Sequence, residues 1–210
     1  MPFVVTIDRR SFALGSCIAI VMAGLLMVLS SGPSLVVSEM PGLVAAWLVF
    51  AWMHFRQFEL PSAGAVIPFF FIAMAVHFVH FAEQFTTGFA DRFPLLYGGA
   101  PYSADQFVVF TMVSAAISTL TCLAVYLRSA TFLLVPVLFF AFSSIYGSAI
   151  AQTWWSFEVQ GYFPGLITSL VNWLVGPILI AILLRDFRTA ACVMVSIAVA
   201  LILCLAVFRV

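Results

Sequence analysis

Long apolar runs separated by short polar breaks set the pattern of this chain. Five runs, 12–31, 64–85, 106–127, 131–155 and 189–208, each reach the roughly 20 residues that a helix needs to cross a hydrocarbon core about 30 Å thick. A sixth run covers 164–184. The seventh, 41–55, is shorter and carries Trp47 and Trp52, so on length alone it either spans or lies flat in the interface. The predicted class is all-α, a polytopic membrane helix bundle forming one domain over 1–210.

The arginines decide the count. With seven spans, Arg9, Arg10, Arg56, Arg128, Arg185 and Arg188 share one side and only Arg92 and Arg209 the other; with six, they split four and four. Short cytoplasmic loops concentrate positive charge, which favours seven helices, a cytoplasmic N-terminus and a C-terminus outside. The first helix then reads as an uncleaved signal anchor. The expected location is the cell inner (cytoplasmic) membrane, crossed several times. Glu39, Asp91, Asp105 and Glu158 are expected in outer loops, and the longest of these, 86–105, is rich in Gly, Pro and aromatic residues and reads as a compact lid.

Composition excludes several functions. Only 8% of the 210 residues are charged and 65% are hydrophobic, too little polar surface for a water-soluble domain. The formal net charge is zero, which leaves no basic footprint for nucleic acid. All eight cations of the Lys plus Arg count are Arg, and without a Lys amine no retinal Schiff base can form. The four cysteines lie in predicted spans at no metal-ligand spacing and read as small buried apolar residues.

Ionisable residues are costly inside a bilayer and mark functional positions. The third span carries His77, His80, Glu83 and Gln84 within an arc of about 120° on a helix otherwise lined with Phe. Its neighbours bring Thr111, Ser114, Ser118 and Thr121, then Ser144, Ser148 and Gln152, then Thr168 and Asn172 towards similar depth. These residues predict a polar pocket in the outer leaflet, bounded by the third to sixth helices and roofed by the 86–105 loop. Three readings of the stripe remain open: interhelical hydrogen bonding, general acid–base catalysis, or metal ligation, for which no fourth strong ligand stands in the outer half. Ser144 and Ser148 also read as a small-xxx-small pair that lets helices approach, and Trp154-Trp155 as an interfacial anchor.

His80-Phe-Ala-Glu83-Gln84-Phe85, followed by Thr87-Gly88-Phe89, Arg92-Phe93-Pro94 and Gly161-Tyr162-Phe163-Pro164-Gly165-Leu166, resembles the HXXEE-domain integral membrane proteins over about 76–184. Helices 12–31, 41–55 and 189–208 lie outside that likeness. The second Glu of the family motif is Gln84 here; a His expected before the Tyr-x-Pro-Gly segment is Gln152, and an Asn expected in the following helix is Thr111. The family has no assigned reaction, so the resemblance implies architecture and site residues alone.

The leading expectation is a membrane-embedded enzyme that does acid–base chemistry on a lipid or isoprenoid. His80 and Glu83 are its expected catalytic pair, and His77, Gln84, Thr111, Gln152 and Asn172 bind substrate. The alternative is a non-catalytic subunit of a larger energy-transducing membrane complex. Expected partners are membrane lipids, and in the alternative other subunits or pigments. No cofactor is named by the sequence and no metal is assigned.

Overall fold

A computed structural model describes residues 5–209. Seven helices are long and apolar enough to cross a membrane, so the chain is an all-helical, multi-pass membrane bundle. They are α1 (Arg9–Leu29), α2 (Ser34–Phe55), α3 (Ala63–Thr86), α5 (Ala104–Arg128), the fifth span (Thr131–Glu158), α8 (Leu166–Leu184) and α9 (Phe187–Val207). A short helix, α4 (Phe89–Leu95), lies in the connection between α3 and α5.

The fifth span is the axis of the bundle. Buried residues make up 78% of its apolar window, against 17–56% in the other spans. It is also the least regular: a 3₁₀ turn at Thr131–Leu133 leads into α6 (Leu134–Phe139), a π-helical segment at Phe140–Gly147 and α7 (Ser148–Glu158). π-turns widen a helix locally and recur at functional sites. Here the segment packs against both α2 and α8. A Cβ on Gly42 of α2 would lie 2.6 Å from Cβ of Ser143, so only glycine permits that approach.

Helix ends are satisfied in two ways. Three spanning helices are capped by a local side chain. Asp8 accepts from the Ser11 amide at 2.6 Å, Ser103 and Gln106 form a reciprocal capping box on α5, and Asp186 accepts from the Thr189 hydroxyl and amide at 2.6 and 2.8 Å. Those bonds hold the Asp8 and Asp186 carboxyls below the usual carboxylate range. Helices α2 and α8 follow Pro33 and Gly165, neither of which makes a side-chain cap. In α2 the Ser30 hydroxyl accepts from the Leu35 amide at 3.0 Å. In α8 the acceptor comes from another helix, as described below.

Helix α2 corrects two expectations. It starts at Ser34 and not at residue 41, carrying Pro41 within it, and at 22 residues it is long enough to span. Glu39 is consequently inside a spanning helix, not in an outer loop, and accepts a 2.6 Å hydrogen bond from the Ser143 hydroxyl of the π segment. The polar start of α2 is tolerated because tertiary partners cover it: Tyr102 accepts from the Ser31 amide at 2.8 Å and bonds the Ser34 hydroxyl at 2.9 Å. The cysteines also divide, with Cys122 buried but Cys17 and Cys192 facing outward.

The 86–105 connection folds into a compact element, as its composition predicts. Phe89, Phe93 and Tyr97 are buried against Trp155 and Phe163, with Phe93 and Trp155 ring centroids 5.0 Å apart. Trp155 is therefore a buried donor, not an interfacial anchor, and its indole N–H reaches the Tyr97 hydroxyl at 2.8 Å. Burial pushes the Tyr97 hydroxyl up to about 12. Its folded value exceeds the unfolded one, so its contribution to stability is complete below pH ~10 and fades as the pH rises through the folded value. Tyr97→Phe leaves the Trp155 N–H unpaired and is expected to cost about 1–3 kcal/mol. A lowered detergent Tm, together with a weaker loss of Tm between pH ~10 and ~12 than in the parent protein, is the expected readout.

Candidate functional site

The polar stripe of α3 meets α7 and α8 in one hydrogen-bonded chain. His80 is almost fully buried, 1% exposed, and uses both ring nitrogens: Nδ1 lies 2.7 Å from Thr168 Oγ1 and Nε2 lies 2.8 Å from Ser148 Oγ. Thr168 Oγ1 in turn donates to Glu83 Oε2 at 2.5 Å. These contacts join three helices in the order Ser148, His80, Thr168, Glu83.

The donors orient the chain. A carboxylate can only accept, so the Thr168 hydroxyl proton points at Glu83 and its lone pair faces His80. His80 must then carry its proton on Nδ1, which leaves Nε2 as an acceptor for the Ser148 hydroxyl. The result is a one-way array in which a serine hydroxyl faces a neutral imidazole whose far side is held by a hydroxyl and a carboxylate.

Glu83 has a second task. Its Oε1 accepts from the Ile167 amide at 3.0 Å and the Tyr162 hydroxyl at 2.7 Å, and its Oε2 also accepts from the Thr168 amide at 2.8 Å. It thereby caps the N-terminus of α8, where Gly165 cannot, and places negative charge at the positive end of the helix dipole. Burial raises the Tyr162 hydroxyl above its ordinary value, which keeps it a donor.

Gly165 makes this convergence possible. Its φ of +95° is a left-handed conformation that side chains rarely adopt. A Cβ there would lie 2.9 Å from His80 Cε1 and 3.0 Å from the Gln152 amide. The Tyr162–Gly165 turn thus covers the site, in place of the 86–105 connection expected there. That connection packs on this turn through Phe89 and Phe163 and also covers the α1–α2 turn and the C-terminal end of α7.

Around the chain lie buried polar atoms without protein partners among the described residues: His77 Nδ1, Gln152 Oε1, and both Oδ1 and Nδ2 of Asn172. His77 sits one turn from His80 along α3, with its ring edge-on to Phe140 at 5.6 Å. Asn172 sits one turn beyond Thr168 on α8, and Gln152 one turn beyond Ser148 on α7. Unpaired polar groups in a dry interior cost about 1–3 kcal/mol each, so four such atoms beside one hydrogen-bonded chain suit a polar guest. Ser148 and Ser144 are half-buried, so the hydroxyl end of the chain is not sealed.

Of the residues expected from sequence, His80, Glu83, His77, Gln152 and Asn172 are brought to this region. Gln84 is half-buried and makes no side-chain hydrogen bond among the described residues. Thr111 is buried on α5, which packs against α3, and its hydroxyl donates to the Phe107 carbonyl at 2.9 Å. Ser148 and Thr168, expected only as polar groups of the pocket, supply two members of the chain, and Tyr162 of the Gly161–Leu166 segment adds a donor to Glu83. Among the described residues no three His, Cys, Asp or Glu side chains converge as a metal site would require.

Compared with known protein families, with curated proteins and with solved structures, the chain matches none.

Proposed function

We propose that this chain is a membrane-embedded enzyme doing acid–base chemistry on a lipid-phase substrate, and that transfer or hydrolysis of a lipid acyl ester suits its residues best. The observation that carries this reading is the directed chain from the Ser148 hydroxyl through His80 and Thr168 to Glu83. Nucleophile, base and orienting carboxylate in hydrogen-bond sequence are the parts of an activated serine. Ser148 Oγ attacks the ester carbonyl carbon while His80 Nε2 takes its proton. The imidazolium returns that proton to the departing alkoxide, leaving an acyl-serine. A water or an acceptor hydroxyl then attacks the acyl carbonyl carbon as His80 Nε2 takes its proton, and His80 returns that proton to Ser148 Oγ as the acyl–serine bond breaks. The unpartnered Asn172 amide suits a donor to the developing oxyanion.

The resemblance to HXXEE-domain proteins belongs to the same proposal and rests on the motif residues. Glu83 is its best-supported member because it anchors both the α8 terminus and the chain. The alternative, a non-catalytic subunit of a membrane complex, is favoured by one observation: four hydrogen bonds to Glu83 make it a structural clamp in its own right. Reconstitution in vesicles of mixed lipid esters separates the two. Release of fatty acid by the parent protein and its loss in Ser148→Ala support the enzyme; no release from any ester, with a stoichiometric partner retained in mild detergent, supports the subunit.

The proposed orientation places the N-terminus in the cytoplasm and the chain in the inner membrane. Six arginines lie at the end of the bundle where α1 and α9 start and α2, α5 and α8 finish, with Arg92 and Arg209 at the other. Fusion of alkaline phosphatase after Arg209 is expected to be active; activity only after a fusion in the Arg128–Ala130 turn would reverse the assignment.

A further inference from the structure

At the arginine-rich end of the bundle, far from His80, the helices part around a cavity of about 1080 Å³. One wall is a single stripe of α8, formed by Pro177, Ile178, Ala181, Ile182 and Arg185. At 1.5 Å per residue that stripe is about 12 Å long. Val125 and Tyr126 of α5 line another wall, and Glu59 and Ser62 come from the approach to α3. The cavity is therefore apolar along its length and charged at its rim.

Opposite charges stand side by side on that rim. Arg185 Nη1 lies 3.6 Å from Glu59 Oε2 and donates to the Glu59 carbonyl at 3.1 Å, and the two side chains are 50% and 58% exposed. The contact occupies one guanidinium nitrogen and leaves the others free, along with the second carboxylate oxygen. Arg185 also ends α8 at φ +56°, a left-handed position where helices favour glycine. The Tyr126 hydroxyl, which belongs to another wall of the cavity, is buried and has no partner among the described residues.

We propose that this cavity binds a phospholipid whose headgroup carries both a phosphate and a primary ammonium, as phosphatidylethanolamine does. Arg185 donates to the phosphate, and the Glu59 carboxylate accepts from the ammonium. The Tyr126 hydroxyl donates to an ester carbonyl, and the α8 stripe takes the first part of an acyl chain. A choline headgroup has no N–H to give Glu59, and a glycerol headgroup has no cation, so both are discriminated against. This site is independent of the acyl-ester chemistry at Ser148.

The test offers the delipidated full chain, in mild detergent, equal concentrations of dioleoyl phosphatidylethanolamine, phosphatidylcholine and phosphatidylglycerol. Bound lipid is read by native mass spectrometry. One phosphatidylethanolamine per chain is expected, preferred by about fivefold over either competitor, as one additional charge contact near a membrane surface implies. Arg185→Gly suits the left-handed helix end, so the bundle is expected to fold and to retain about fivefold less of all three lipids, because the phosphate that Arg185 binds is common to them. Glu59→Gln is expected to move the preference to phosphatidylglycerol. Equal retention of the three lipids by the parent protein, or a parent-like pattern in either variant, overturns the proposal.

Discussion

Glu83→Ala is expected to be the most damaging single substitution in the bundle, lowering stability by on the order of 3 kcal/mol. Four donors lose their acceptor at once: the amides of Ile167 and Thr168 and the hydroxyls of Tyr162 and Thr168. Water compensates only in part, because the carboxyl is half-buried and the helix end it caps lies at the margin of a membrane. Gly165 offers no side chain to replace it. Glu83→Gln keeps one oxygen acceptor but turns an amide N–H₂ towards other donors, so an intermediate loss is expected. Thermal unfolding in a single detergent checks both variants, with the order parent, Gln, Ala. If Glu83→Ala unfolds within a degree of the parent, Glu83 is not the cap of α8.

His80→Ala is expected to remove turnover of a lipid ester by about 10²–10⁴-fold, the usual contribution of a positioned general base. The substitution leaves Thr168 capped by Glu83, so helix α8 retains its terminus, while Ser148 loses the acceptor for its proton. His80→Gln is the more informative companion, since an amide fills part of the space and accepts a hydrogen bond but takes no proton. Folded His80→Gln protein with parent-like turnover would assign the imidazole to helix packing alone. Turnover measured with excess substrate separates loss of the base from loss of binding, because the first lowers kcat and the second raises KM.

Much of the bundle is legible from hydropathy and arginine placement, and the exceptions have physical causes. Helix α2 starts seven residues earlier than its apolar run because Ser34, Ser38 and Glu39 find partners or cover within the fold, whereas a hydropathy pattern counts them as exposed loop. Glu83 and His80 stand out because ionisable side chains are rare in a spanning helix. Their partners do not: the amide capped by Glu83 is 84 residues away at Ile167, and nothing local in Gly165-Leu166-Ile167 signals that its cap comes from elsewhere. Ser148 reads as a small residue for close helix packing, since spacing alone does not separate a packing serine from a hydrogen-bonding one. The π segment at Phe140–Gly147 compounds this, because it shifts the helical phase between Ser144 and Ser148 away from that of a regular α-helix.

The central claim is that His80 activates the Ser148 hydroxyl, and covalent capture tests it without knowledge of the substrate. An apolar fluorophosphonate presented in detergent micelles forms a bond from Ser148 Oγ to phosphorus and expels fluoride, with the serine proton taken by His80. The account predicts one adduct per chain, mapped to Ser148 by peptide mass spectrometry, and absent from folded Ser148→Ala and His80→Gln proteins. Unmodified Ser148 in the parent protein, or equal labelling of the His80→Gln protein, would contradict it.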